Sequence, residues 1–197
     1  MPHTFRKDMS HLSWAKVYAR QEMRAPLVRA WMDALDLAPG DRVLEVGSGP
    51  GFVSLMLAER VGPAGVIYAV DRSAEALAYL ERVQAERGVA NIERLVADAA
   101  TVDLGGQCAD AALISMVLHH ADDPAAILQN AARLICPGAP ALIAEFHPDG
   151  PCEHGPPHEH RLAPDQIRGW CEAAGLSILD EQRQTPEHYM VLAKRVS

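Results

Sequence analysis

The stretch Val43-Leu44-Glu45-Val46-Gly47-Ser48-Gly49-Pro50-Gly51-Phe52 decides how this chain folds. Val43, Leu44 and Val46 read as a short buried strand with Glu45 set into it. Glycines at the alternate positions 47, 49 and 51 follow, and a helical pattern starts at Phe52. A strand that turns through glycines into a helix N-terminus leaves bare backbone open to a ligand. Outward from here, apolar segments and helical stripes alternate, the pattern of a parallel sheet with helices between its strands. Strands are expected at Arg42–Val46, Val66–Val70, Ile92–Ala97, Ala111–Met116 and Ala141–Phe146. The intervening helices are Phe52–Val61, one capped by Ser73 and stopped at Gly88, and one opened by Asp123-Pro124 and ended by Pro137-Gly138.

After the fifth strand, residues 147–163 are polar and rich in His, Pro and Gly, and read as a long loop. A helix over Pro164–Ala174 follows, then a terminal pair of strands at Leu176–Leu179 and Tyr189–Ala193. Two amphipathic helices precede the sheet, one over Leu12–Arg24 and one from Pro26 carrying Leu27, Val28, Trp31 and Leu35. The expected fold class is α/β: a Rossmann-like doubly wound seven-stranded sheet, mostly parallel with an antiparallel last strand, plus N-terminal helices. A single domain is expected over 1–197, with residues 1–38 as a helical cap and 39–197 as the core.

The 197 residues carry a formal net charge of −8, which opposes a nucleic-acid partner because phosphates would be repelled. No apolar run approaches the ~18 residues of a membrane span, and Met1–Ser10 has no apolar core like a signal peptide's. The expectation is a cytoplasmic monomer or homodimer with neither a membrane nor a nucleic-acid partner. Cys108, Cys136, Cys152 and Cys171 lie far apart with no CxxC spacing, so reduced thiols are expected and not a disulfide framework.

The glycine loop fails the dinucleotide fingerprint GxGxxG, because the sixth position is Phe52. With Glu45 two positions before Gly47, it resembles the first motif of class I S-adenosylmethionine-dependent methyltransferases. That resemblance covers nearly the whole chain from residue 26 on. It implies S-adenosylmethionine as cofactor and S-adenosylhomocysteine as product. It places Gly47, Ser48, Gly49 and Gly51 beside the cofactor's aminoacyl tail, with Glu45 helping to hold the site. Asp71 ends the second strand ~20 residues past the loop, where a ribose-binding acid belongs, and Arg72 follows it. A carboxylate accepts the two hydroxyls of a ribose diol; a helix N-cap role beside Ser73 is the competing reading. By resemblance, Asp98 at the end of the third strand accepts from the adenine amino group and the Ala99 amide meets the ring.

The fourth strand ends in Ser115-Met116-Val117-Leu118-His119-His120, followed by Asp122-Asp123-Pro124. This is similar to a segment of small-molecule methyltransferases of the quinone-biosynthesis and arsenite groups. Ser115 and Met116 are expected to line the methyl-transfer region. His119 and His120 either contact the substrate or only stabilise the turn.

The loop 147–161 admits three readings: a metal site, a lid over the substrate, or a plain surface loop. The spacings Cys152-x-His154 and His158-x-His160 match no familiar metal motif, so no metal is expected and the lid is favoured. Gly155-Pro156-Pro157 with His160-Arg161 is similar to a segment after the fifth strand of small methyltransferases. His147 and His160 are then candidate bases, and Arg161 a candidate clamp for an acidic substrate. Trp14 and Tyr18 share a helix face and either cap the cofactor or pack as core. The expected function is methyl transfer to a small-molecule acceptor by in-line displacement. The rivals are an S-adenosylmethionine-binding protein without transfer, a nicotinamide-dependent oxidoreductase, and a metal module built on the loop.

Overall fold

The computed structural model describes residues 13–151 and 155–196. The N-terminal stretch Met1–Leu12, with the expected helix start at Leu12, lies outside the described residues, as do Cys152, Glu153 and His154 of the histidine loop.

Two helices, α1 (Trp14–Glu22) and α2 (Ala25–Ala34), precede β1 (Arg42–Val46). Then come α3 (Phe52–Val61), β2 (Val66–Asp71), α4 (Ala74–Glu86), β3 (Ile92–Val96), β4 (Ala111–Ser115), α5 (Pro124–Leu134) and β5 (Pro140–Phe146). The chain closes with α6 (Pro164–Ala173), β6 (Leu176–Arg183) and β7 (His188–Arg195). The sheet order is β3-β2-β1-β4-β5-β7-β6. β1 to β5 run parallel, and β7 inserts antiparallel between β5 and β6. The seven-stranded, doubly wound sheet expected from the sequence is therefore present, with β1 and β4 side by side where the strand order reverses. In open α/β sheets that is where ligands bind, beyond the carboxyl ends of the strands.

Alternation along each strand divides the core into two layers. Leu44, Val46, Ile114, Ile143 and Tyr189 pack with Leu128 and Leu134 of α5 and Ile167 and Cys171 of α6. Val43, Ile67, Leu113 and Ala144 pack on the other face with Val28 and Trp31 of α2, Leu57 of α3 and Leu80 of α4. Burial on both faces explains why the central strands read as continuous apolar runs. The terminal strands extend beyond the expected limits because β6 is an edge: Asp180 to Arg183 pair with β7 while their side chains face water. Charged residues on an edge also discourage pairing with another chain. β4 ends one residue early, at Ser115, because Met116 takes a left-handed φ of 53°.

One expectation is overturned. Cys108 and Cys136 form a disulfide, whereas both were expected as free thiols. Sequence spacing hides the pairing, because it depends on a bridge between Ala109, before β4, and Ile135, after α5. That bridge leaves the two Cα atoms 5.1 Å apart across 28 residues. Cys171 of α6 is free and buried. Closing a loop of this length constrains the unfolded chain by about 3–4 kcal/mol. Reduction, or a Cys136→Ser change, is expected to lower the urea midpoint accordingly. An unchanged midpoint would show that the bond contributes nothing to stability.

Candidate functional site

At the end of β1 the chain leaves the sheet at Gly47, with φ 74°. The amides of Gly47 and Ser48 both donate to the carbonyl of Val70 on β2, at 2.8 and 3.1 Å. A β-carbon at Gly47 would lie 2.5 Å from Val117, so only glycine lets the turn after β4 press against this loop. Gly51 then enters α3 with its α-carbon facing Leu80 of α4.

The acids at the strand ends are tied to this loop. Asp71 accepts the Gly49 amide on Oδ2 and the Ser73 amide on Oδ1, both at 2.8 Å. Each of its oxygens keeps a further lone pair. Burial pushes Asp71 above the usual carboxylate range, and the two amides oppose that shift. Ser73 caps α4 by accepting from the Ala76 amide, so the helix-cap reading and the loop-holding role coexist around one carboxylate. Arg72 is exposed beside it. Asp98 is exposed beyond β3 and accepts the Ala100 amide at 2.8 Å, while the Ala99 carbonyl accepts from Asn130 of α5.

Glu45 is 2 % exposed, and its partner is the neutral hydroxyl of Ser54, which donates to Oε2 at 2.5 Å. Burial without a cation raises its pKa to about 8, against a small opposing effect from Ser54. The hydroxyl of Ser48 is fully buried and has no hydrogen-bond partner among the described residues. An orphaned hydroxyl and an uncompensated carboxyl beside the glycine backbone fit a ligand that carries both an ammonium and polar acceptors.

Gln21, which the sequence did not single out, closes the loop from above. Its side-chain amide donates to the Ser48 carbonyl and accepts from the Phe52 amide, both at 3.1 Å. Tyr18, one turn earlier, packs edge-on to Phe52 with ring centres 5.5 Å apart, and lies 5.7 Å from Tyr79. Tyr18 is thus buried core that also covers the loop. Trp14 is not among its ring contacts.

On the other side, β4 and β5 end in a second cluster. Ser115 pairs with Ala144, and the Met116 amide donates to the Ala144 carbonyl. Glu145 is buried in β5 and accepts from Nδ1 of His119 at 2.7 Å, from the Leu118 amide at 2.9 Å and from the His119 and Phe146 amides. Burial alone would raise Glu145; the histidine and these amides hold it below the usual range instead. An ionised Glu145 draws a His119 proton to Nδ1 and so sets the orientation of the ring. The His120 ring lies tilted against His119, with centres 4.1 Å apart. The signal for Glu145 was present in the sequence: like Glu45, it interrupts an apolar strand.

The histidine loop departs from expectation at two positions. Arg161 is not available to a substrate. It is 6 % exposed, and it donates to the carbonyls of Pro156, His147, Gly150 and Pro151, with Glu187 at 3.7 Å. His147, just past β5, does not join the cluster at the ends of β4 and β5. Its ring lies edge-on to Tyr189, with centres 5.9 Å apart, and burial lowers its pKa. His160 sits half-buried in a short 3-10 turn, His158–His160. Among the described residues there is no group of three or more metal-ligating side chains, and no helix is long and apolar enough to cross a membrane.

Comparison with known proteins agrees with this geometry. A family model described as a methyltransferase domain matches residues 37–194, and the chain belongs to that family. An arsenite methyltransferase of Halobacterium salinarum is 26% identical over 145 residues, covering 74% of this chain and 36% of its own length. A 2-phytyl-1,4-naphtoquinone methyltransferase of Trichormus variabilis is 34% identical over 110 residues, 55% of this chain and 48% of its own. The chain thus spans well under two thirds of the curated relatives it matches. A methyltransferase structure from Aquifex aeolicus described as S-adenosylmethionine-dependent shares the fold, with a TM-score of 0.82 at 22% identity, covering 94% of this chain and all of that one.

The buried Glu45 makes a testable claim about the protein alone. A carboxyl at about 8 in the fold and near 4.5 when unfolded binds more protons folded. Its contribution to stability is therefore fully present below the lower value and is lost as pH rises through the higher one. Glu45→Gln keeps the shape and removes the charge. It is expected to melt with the wild type at pH 5 and several degrees above it at pH 9. Parallel melting curves across that range would refute the burial of an uncompensated carboxyl.

Proposed function

We propose that the protein transfers a methyl group from S-adenosylmethionine to a small-molecule acceptor held at the ends of β4 and β5. The observation that carries this reading is the glycine loop, where the orphaned Ser48 hydroxyl and the buried Glu45 carboxyl lie beside the backbone of Gly47 to Gly51. S-adenosylmethionine supplies a methyl group already activated on a sulfonium.

The chain's own residues bind, orient and exclude water. The remaining lone pairs of Asp71 suit the ribose diol, with Arg72 alongside. Asp98 and the Ala99 amide suit the adenine. The Gly47, Ser48, Gly49 and Gly51 backbone and Glu45 suit the aminoacyl end, whose ammonium favours the ionised form of Glu45. Ser115 and Met116 border the reacting centre. Holding two reactants in line in this way is worth on the order of 7–11 kcal/mol.

His119 takes the place first given to His147. Glu145 orients its ring, so Nε2 accepts the proton of an acceptor that has one to lose. His120 packs against it, and His160 belongs to the wall built by Arg161. Support for a small acceptor comes from the end of β5, where Arg24, Gly155 and Arg161 close on the ring of Phe146. A binding protein without transfer is the second reading, and it stands if the nucleoside binds while no acceptor in a broad panel is methylated.

Calorimetry with S-adenosylhomocysteine tests the cofactor half. Asp71→Ala is expected to weaken binding by roughly 1–3 kcal/mol, and unchanged affinity would remove Asp71 from the site. His119→Gln is expected to reduce turnover of a proton-bearing acceptor by about 10²-fold or more at constant nucleoside affinity. Full turnover in that variant would assign the proton to water or to another group.

A further inference from the structure

The two arginines that meet Phe146 differ in one respect. The guanidinium carbons of Arg24 and Arg161 lie 5.4 and 5.5 Å from the centre of that ring. Arg161 spends its donors on four backbone carbonyls. The guanidinium of Arg24, half-buried between α1 and α2, has no hydrogen bond or ion pair among the described residues. The two acids whose charge reaches it are committed elsewhere, Glu145 to His119 and backbone amides, and Glu187 to Arg161. Arg20, one helical turn away, adds a second positive charge and no partner.

A guanidinium withdrawn from water with only a ring face beside it is incompletely compensated. Burial pulls Arg24 below its ordinary pKa, the direction that an absent counter-charge produces.

Position says which anion would complete the site. Gln21 and Arg24 lie three residues apart at the end of α1, so the turn that latches the glycine loop also carries this cation. Arg24 reaches Phe146 at the end of β5, and β5 lies beyond β4 from β1. The ribose and adenine acids Asp71 and Asp98 lie the other way, past β2 and β3. The rings of His119 and His188 flank Phe146 at 5.5 and 5.0 Å. His188 is held neutral, with a pKa lowered to about 4 by burial and by the two arginines.

We infer that Arg24 is the acceptor-recognition residue, binding a carboxylate of a small unsaturated acid whose flat body lies against Phe146, His119 and His188. This rests on the methyl-transfer reading, since it names the class of acceptor for that cleft. Two parallel N–H donors of one guanidinium suit the two oxygens of a carboxylate.

The test uses the full chain saturated with S-adenosylhomocysteine, with benzoate and benzamide as probes followed by ligand-observed NMR. Benzoate is expected to bind at least tenfold tighter than benzamide. Arg24→Gln is expected to erase that preference while nucleoside affinity stays within twofold. Arg24→Lys, which keeps the charge but not the paired donors, is expected to reduce it. The inference is overturned if the wild type shows no preference, or if the preference survives undiminished in either variant. A tenfold loss of nucleoside affinity in a folded Arg24→Gln protein also overturns it, by assigning the cation to the cofactor's own carboxylate. Failure of the wild type to bind the nucleoside, seen before any acid is added, defeats the underlying cofactor reading and the inference with it.

Discussion

Gly47 has no β-carbon, and the cleft depends on that. Any larger residue would meet Val117 at 2.5 Å and force the loop after β1 away from the turn after β4. With glycine, two strand ends that are neighbours in the sheet also touch above it. The loop then sits where Val70 can accept two of its amides and Asp71 a third. The same contact divides the space above the sheet. β2 and β3 lie on one side with their exposed or half-exposed acids; β4 and β5 lie on the other with buried rings and histidines. Packing at one backbone position thus sets both the binding surface and the boundary between two chemistries.

Two carboxylates buried to the same degree end in opposite states on either side of that boundary. Glu45 has one neutral hydroxyl for a partner and is driven toward protonation. Glu145 has an imidazole and three amides and is held ionised. Desolvation is the largest influence on both, so the difference lies in the donors each fold position supplies. Glu45 sits within β1, where its amide neighbours are engaged by β2 and β4. Glu145 sits near the end of β5, where the 3-10 turn of β4's extension turns its free amides inward. Strand position therefore decides which acid is driven toward protonation and which one orients an imidazole.

Much of this was legible in the sequence because it is local. The glycine loop, the strand-end acids and the alternation of strand and helix are short-range patterns, and they yield the sheet, its connections and the seven strands. Pairing at long range was not legible. Cys108 and Cys136 meet only because β4 enters the sheet beside the end of α5. Gln21 carries no pattern of its own and is recognised only when α1 lies over the loop. Asp180 to Arg183 are too polar to read as a strand, since an edge strand needs no buried face. Glu145 is the instructive case: the rule that marked Glu45, a carboxylate inside an apolar strand, applied equally to it.

The histidine loop shows why residue type alone misassigns a charge. Sequence offers Arg161 as a cation beside a substrate, and the fold makes it the post around which residues 147–161 are wound. Moving that segment would strip a buried guanidinium of four carbonyls, and each bond to a charged donor is worth about 1.5–3 kcal/mol. The end of α1 is held by the two side-chain bonds of Gln21, both between neutral groups and worth about 1 kcal/mol apiece, together with the contacts of Tyr18 on Phe52 and Arg24 on Phe146. On those magnitudes the arginine-wound segment is a fixed wall. Gln21 and Arg24 lie three residues apart, so one short stretch of chain carries both the latch on the glycine loop and the cation over Phe146.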